Sequence, residues 1–311
     1  MFQIDNKLYL VGKNTNKFNN LEPFNKQITD FFDYLSKIIF KDHKKSEYKD
    51  IIAIGFWFRK NNTNYLKKKF FEKHSKFPLG VIFHITPNNV PINFAYSLYF
   101  GLITGNTNIV KIPNKDYFQI NYICSIIKKA LKNKKFKDLR DMIKIIRYDN
   151  DHEITQKISK FSDARLIWGG DDTVNKVKNI IPKTKCNDLS FPDRYSMTLF
   201  NLNVINKIGN HEFNNLVKKF YIDNYTFDQN ACNSSHLIFW LGNKRLSNIK
   251  MKFWRKLNSF LKNELFYPES VVSDKLNKLC TDILNFSNIN KTFFNTKNLY
   301  VIDLKYLNKD T

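Results

Sequence analysis

The chain has 311 residues, 42% of them hydrophobic, with 29 Phe and 15 Tyr. This supplies a sizeable core for one large domain or two ordinary ones and excludes a disordered chain. The formal net charge of +23 would suit a nucleic-acid partner. The lysines, however, are spread along the whole chain, with short clusters only at residues 67–69 and 132–137, so a solvated lysine-rich surface is the preferred reading and no nucleic acid is expected.

Residues 1–75 read as mostly helical after a short extended start at residues 8–11. Glu22-Pro23 is expected to open a helix whose apolar face includes Ile28, Phe31, Phe32, Leu35 and Ile38. "IIAIGFWFRK" reads as packing material with Arg59 and Lys60 as its exposed end. From Gly80 the pattern becomes regular. "GVIFHIT" is a buried-strand run, residues 91–104 a helix, "NIVKIP" a strand and residues 117–131 a helix. "MIKIIRY" and "ARLIWGG" are strands, each followed by a helical pattern at residues 149–160 and 171–179. Apolar runs alternating with helical patterns predict βαβ units and a parallel sheet. After Cys186, "SMTLF" and "HLIFW" are strand-like with a helix around residues 211–221 between them, so a second α/β unit is expected from near residue 195.

In an open parallel sheet, ligands bind beyond the carboxyl ends of the strands. There the sequence gathers "TPNNVP" (residues 86–91), Lys111, and the Gly169-Gly170 pair of "WGGDD". Glycines let the backbone approach a ligand closely, and a helix opening after Gly170 offers N–H groups to a phosphate. Asp171 and Asp172 partly oppose an anion at that point. No GxGxxG is present, and the Gly pair by itself reads more readily as a tight turn than as a ligand site.

Four cysteines, Cys124, Cys186, Cys232 and Cys280, form no CxxC pair, so neither a metal site nor a disulfide framework is expected. No signal-like run follows Met1 and no stretch of about 18 apolar residues occurs, so the expectation is a cytoplasmic protein without a membrane span and with reduced thiols. Cys232 differs from the rest in its small polar surroundings, "FDQNACNSSHLIFW". Cys124, Cys186 and Cys280 are expected to be structural.

The stretch "PLGVIFHITPNNVPINFAYSLYFGLITGNTNIVKIP" (residues 78–113) resembles the aldehyde dehydrogenase superfamily, with its strand, P-x-N-x-P, helix, G-N-T and lysine-bearing strand. "FHITPNNVPINFAYS", "DARLIWGGDDTV", "DLSFPDRYS" and "FDQNACNSSH" resemble, in that order, the LuxC-type acyl-CoA (fatty acid) reductases, over roughly residues 50–305.

The resemblance implies an α/β, aldehyde dehydrogenase-like fold. Residues 1–75 would be a mostly helical segment packed on a Rossmann-like nicotinamide-cofactor domain at 76–195, with a catalytic thiol domain at 196–311. It implies that Cys232 is the nucleophile and that Asn89 joins the backbone N–H of the cysteine in an oxyanion hole. Thr86, Pro87, Lys111, Gly169 and Gly170 would meet the cofactor, NADPH. The reaction implied is reduction of an acyl-CoA, or another acyl thioester, to the aldehyde through an acyl-cysteine. Either a homo-oligomer or partner acyl-transfer subunits are implied as well.

Where hydrolytic relatives carry E-L-G-G, this chain has "DLSFPDRYS", with Ser190 near the position of the Glu that activates water. Loss of that base suits an enzyme that must not hydrolyse its acyl-enzyme. His236 reads either as an acid/base near the thiol or as a strand-entry histidine bonded locally. The second is favoured, because four residues of extended chain span roughly 13 Å. Asp193 and Arg194 read equally as an ion pair or as substrate ligands. Chains of this type run well past their cysteine, whereas this sequence stops at Thr311. The thiol domain is therefore expected to be incomplete, and a catalytically impaired or split-gene cofactor-binding member is the alternative reading.

Overall fold

The computed structural model describes residues 4–15, 17–42, 48–71, 76–149, 151–192, 194–242, 247–264, 269–296 and 299–307. By contacts the chain forms two compact units. One is Met1–Tyr195 with Asn230–Cys232; the other is Ser196–Gln229 with Asn233–Thr311.

The first unit starts with a short strand, β1 (Tyr9–Val11), and three helices, α1 (Lys26–Lys41), α2 (Lys49–Trp57) and α3 (Lys60–Phe70). The helix expected from Glu22-Pro23 begins at Lys26 instead, with Asn25 as its N-cap accepting from the Gln27 N–H. The physical reason is that the preceding segment is spent on tertiary bonds. Leu21 N–H donates to Gly105 O at 3.0 Å and Phe24 N–H to Ile103 O at 2.7 Å, and Phe24 takes a left-handed φ of 57°. The buried face of α1 runs Ile28, Phe31, Phe32, Leu35 and Ile39, so Ile39 takes the place expected of Ile38. The guanidinium of Arg59, exposed as expected, rests over the rings of Phe40 and Phe56.

The regular alternation follows as β2 (Val81–Ile85), α4 (Asn93–Ile103), β3 (Thr107–Ile112), α5 (Phe118–Lys132), β4 (Ile143–Arg147), α6 (His152–Ser159), β5 (Ala164–Trp168), α7 (Asp171–Lys178) and β6 (Asn187–Phe191). The sheet order is β1-β4-β3-β2-β5-β6. Strands β2 to β6 pair in parallel, and β1 lies antiparallel on the outer edge of β4. The chain walks outward from β2 to β4 and then returns to the other side of β2, so the strand order reverses between β2 and β5. Every residue of β2 is buried, as a strand covered on both faces requires. The residues before α1 fasten to the sheet: Thr107 Oγ1 donates to Asn19 O at 2.6 Å, and Lys144 Nζ to Lys17 O at 3.2 Å.

Two buried polar arrangements hold this unit. Gly101 lets α4 lie directly on β3, since a Cβ there would overlap Asn108 Oδ1 at 1.8 Å. Beneath it, Trp168 Nε1–H donates to Ser97 Oγ (3.1 Å), and Ser97 pairs with His84 Nδ1 (2.7 Å). His84 Nε2 pairs with Asn108 Oδ1 (2.8 Å), while Asn108 Nδ2 donates to Asn106 O (2.6 Å). With its Nδ2 already donating, Asn108 presents its oxygen, so His84 carries its proton on Nε2 and accepts from Ser97. Burial lowers the His84 pKa from 6.5 to about 4, so the ring is neutral. Elsewhere Arg165, 1% exposed, grips both oxygens of Asp188 on β6. It also donates to the carbonyls of Val177 and Ile180 where α7 ends.

The second unit contains a parallel pair, β7 (Ser196–Asn201) and β8 (Ser235–Leu241), joined through α8 (Leu202–Ile205) and α9 (Asn210–Tyr225). Beyond them come α10 (Ser247–Glu264), α11 (Glu269–Asn285) and an antiparallel hairpin of β9 (Ile289–Thr296) and β10 (Leu299–Leu304). Its core is aromatic, centred on Phe200, Phe220, Phe253 and Trp254. Among the described residues, no helix is long and apolar enough to cross a membrane.

Candidate active site

Asn89 and Cys232 are the residues of greatest interest. Asn89 lies in the loop between β2 and α4, at the carboxyl edge of the sheet, and is exposed. Its Nδ2 donates to the carbonyl oxygen of Asn230 at 3.3 Å. Cys232 follows two residues later and is exposed. The sequence divides these residues between two domains. By contacts, Asn230–Cys232 instead groups with the first unit, the one that carries Asn89. An amide has two N–H donors, so the bond to Asn230 leaves a second for a ligand. The loop is fixed on its other side as well: the Tyr117 hydroxyl, just before α5, donates to Asn88 O at 2.9 Å.

The cysteine loop is shaped within the second unit by Asn224, a buried residue near the end of α9. Asn224 O accepts from Gln229 N at 2.8 Å and from Ser234 Oγ at 3.2 Å, while its Oδ1 accepts from Ser235 N at 2.5 Å. One residue thus ties down both ends of the stretch that contains the thiol. Asp228 and Gln229 both adopt left-handed backbone, at φ 49° and 59°. Two such non-glycine residues in succession are sterically costly. Strain of this kind persists where surroundings over-determine it. Here the Asn224 bonds and the ion pair of Asp228 with Lys275 (2.5 Å) supply those constraints.

At the same carboxyl strand ends, Thr86 is buried. Both its N–H (3.2 Å) and its hydroxyl (2.8 Å) donate to Lys111 O, locking the ends of β2 and β3 together. The Thr86 hydroxyl is therefore already engaged in the fold. Pro87 follows, half-buried. The Lys111 ammonium lies 5.1 Å from the Tyr148 ring centroid. Burial lowers its pKa below that of an ordinary lysine, and the charge of Asp149 partly offsets this. Gly170 is the N-cap of α7, and a Cβ on Gly169 would come within 3.1 Å of Thr173. The Trp168 and Phe191 rings stack at 3.9 Å beside them. A cleft of about 450 Å³ opens past β3 and β4, bounded by Asn114, Arg147, Tyr148, Asp149, Asp151 and Ile154. Small glycines, a half-buried cation and an open cleft in one row beyond the strand ends fit a nucleotide cofactor.

The remaining expected residues fall elsewhere. His236 is exposed in β8 and belongs to the second unit. Ser190 is in β6, and Asp188, the carboxylate of that strand, is held by Arg165. Arg194 is exposed, and Asp193 lies outside the described residues. Of the other cysteines, Cys124 is buried, and its thiol pKa is pushed up to about 12 by that burial. Cys280, expected to be structural, is instead exposed on α11. Tyr117, Asn224 and Asn230 were not anticipated. Their contribution is a tertiary hydrogen bond with no local sequence signal, although an Asn just before the cysteine is visible in "FDQNACNSS". Among the described residues, no group of three His, Cys, Asp or Glu side chains is arranged to hold a metal.

Comparison with known proteins places these features in context. Residues 48–306 match the family described as acyl-CoA reductase (LuxC). A long-chain acyl-protein thioester reductase from Vibrio harveyi is 24% identical over 186 residues, 59% of this chain and 36% of that protein. The chain thus matches only about a third of the length of that curated relative. Among solved structures, an NAD-dependent benzaldehyde dehydrogenase from Corynebacterium glutamicum superposes with a TM-score of 0.60 at 10% identity, covering 96% of this chain and 80% of that one. PnpE, solved in complex with nicotinamide adenine dinucleotide, gives 0.60 at 12% identity, covering 87% and 61%. At such identities the likeness is one of fold: the chain has the aldehyde dehydrogenase-like α/β architecture.

Proposed function

The chain belongs to the acyl-CoA reductase (LuxC) family, and from that premise we propose that it reduces an acyl thioester to the aldehyde, with NADPH as the reductant and Cys232 as the acyl acceptor. The observation that supports this reading is the bond of the Asn89 amide to Asn230, two residues ahead of the exposed Cys232.

The Cys232 thiolate attacks the thioester carbonyl and forms a new C–S bond. The electron pair displaced onto oxygen is met by the remaining N–H of Asn89 and by the backbone N–H of Cys232, donors preorganised for a tetrahedral oxyanion. Collapse breaks the original C–S bond and releases the carrier thiolate, leaving the acyl group on Cys232. A reduced nicotinamide, when bound, supplies the hydride that the acyl carbon then takes. The same two donors stabilise the second oxyanion, and its collapse returns the Cys232 thiolate and frees the aldehyde. Lys111, Gly169 and Gly170 would hold the cofactor along the strand ends. Thr86 contributes by fixing Lys111 through its N–H and hydroxyl rather than by meeting the cofactor itself, and Pro87 shapes the loop that leads to Asn89. Ser190 of β6 stands near the position where hydrolytic relatives carry the water-activating Glu, which favours reduction over hydrolysis. His236 keeps the role of a strand-entry residue. An acyl-CoA or an acyl-protein thioester fits the chemistry equally, and a cytoplasmic setting suits it.

The test is intact-protein mass after mixing with an acyl-CoA. Wild type should gain one acyl group, lose it on addition of NADPH, and yield aldehyde; Cys232→Ala should gain none. Acylation of the Cys232→Ala protein would remove the residue from the mechanism. Cofactor binding without any acylation of wild type would leave only a cofactor-binding role.

A further inference from the structure

The turn ahead of Cys232 is gripped by a helix from much later in the chain. After α9 ends at Tyr225, the chain passes through Asp228 and Gln229, left-handed at φ 49° and 59°. Glycine takes such a turn after a helix at little cost, and neither position has one. The backbone bonds of the turn run from Asp228 N to Tyr225 O at 3.2 Å and from Gln229 N to Asn224 O at 2.8 Å. Any residue in that conformation would make them. The Asp228 side chain adds something specific, an ion pair with Lys275 Nζ of α11 at 2.5 Å. Lys275 and Asp228 are 20% and 24% exposed, so the pair is less screened than one on the open surface.

The consequence reaches the oxyanion donors. Asn230 directly follows Gln229, and its carbonyl takes the Asn89 amide at 3.3 Å, longer than most such bonds. If Asp228 relaxed to a right-handed or extended φ, the peptide planes after it would turn and this bond would be lost. The same relaxation would swing the carboxylate away from the Lys275 ammonium. The ion pair therefore opposes the movement that would misplace the amide.

Resting on the acyl-cysteine reading above, we infer that Lys275 is a positioning residue for the reaction: through Asp228 it locks the left-handed turn that aligns the Asn89 amide with the Cys232 thiol. Lys275 acts without touching substrate. The lock also gives α11, far beyond the cysteine in sequence, a share in the chemistry.

The test compares two reactions of the same thiol. Single-turnover acylation by octanoyl-CoA, followed by intact mass, passes through an oxyanion. Alkylation of Cys232 by iodoacetamide does not, and peptide mass separates it from reaction at the exposed Cys280. Lys275→Met should slow acylation at least about tenfold, the scale of one lost hydrogen bond, and change alkylation by less than about twofold. Lys275→Arg should keep most of the acylation rate. Adding Asp228→Gly to Lys275→Met should restore acylation to within about threefold of wild type, because glycine holds the turn unaided. Adding Asp228→Ala should not. Thermal melting shows whether each variant is folded. If Lys275→Met does not fold, the single variants Asp228→Gly and Asp228→Ala carry the same comparison, fast against slow. Wild-type acylation in Lys275→Met, an equal loss of acylation and alkylation, or no difference between glycine and alanine overturns the inference, while acylation of wild type keeps the acyl-cysteine reading. Wild type that takes no acyl group sinks both.

Discussion

The Nδ2 of Asn89 lies 3.3 Å from the carbonyl oxygen of Asn230, joining the loop after β2 to the residues just ahead of Cys232. The bond ties the Asn89 amide to the cysteine loop through one of its two hydrogens. Asn89→Ala should therefore lose roughly two to three orders of magnitude in turnover. Stopped-flow rates of acylation and of hydride transfer should fall together, because both steps pass through an oxyanion. Unchanged rates would exclude Asn89 as a donor.

Tyr117 acts one step back. Its hydroxyl holds Asn88 O at 2.9 Å, so it positions Asn89 without touching substrate. Tyr117→Phe should lower kcat by about tenfold, the scale of one hydrogen bond, and leave the KM for the nicotinamide cofactor unchanged. A rise in that KM with kcat intact would assign Tyr117 to the cofactor instead.

Asn224 offers a stability measurement. Removing its side chain in Asn224→Ala strands the buried Ser235 N–H that it pairs, while the Phe220 carbonyl keeps its place in the helix. Urea unfolding should show a loss of about 1–3 kcal/mol. A loss below about 0.5 kcal/mol would mean that solvent or a local shift replaces this bond.

His84 gives the protein an acid sensitivity. Its pKa is about 4 folded against 6.5 for an ordinary histidine, so below 6.5 the unfolded chain binds the extra proton. The stability from this group is whole above pH 6.5 and drains away as pH falls towards 4. Between pH 7 and pH 5 the loss is about 2 kcal/mol. Urea midpoints at the two pH values should show it, and His84→Gln should flatten the difference even if it is less stable at pH 7. An equal slope in both proteins would assign the acid sensitivity elsewhere.

The strands β2 to β5 were legible because their apolar runs are broken by helical patterns of the right length. β6 was not, since Asn187–Phe191 has only Leu189 and Phe191 as apolar residues and is recruited as an edge by the Arg165–Asp188 grip. The start of α1 was misplaced because Pro23 is an ordinary first-turn residue, and only the tertiary bond of Phe24 to Ile103 shows that the turn lies elsewhere. In the candidate site, Asn89 and Cys232 were visible through their motifs. Tyr117, Asn224 and Lys275 were not, because each matters through a partner that appears only when distant segments meet.

The antiparallel β1 bears on how the chain is made. During synthesis it emerges well before β4 and waits unpaired, too short by itself to recruit another strand. When β4 arrives, its outer edge meets a ready cover in Tyr9–Val11. A chain synthesised without that leading segment would reach the same stage with the flank of β4 bare, inviting nascent neighbours to add to it.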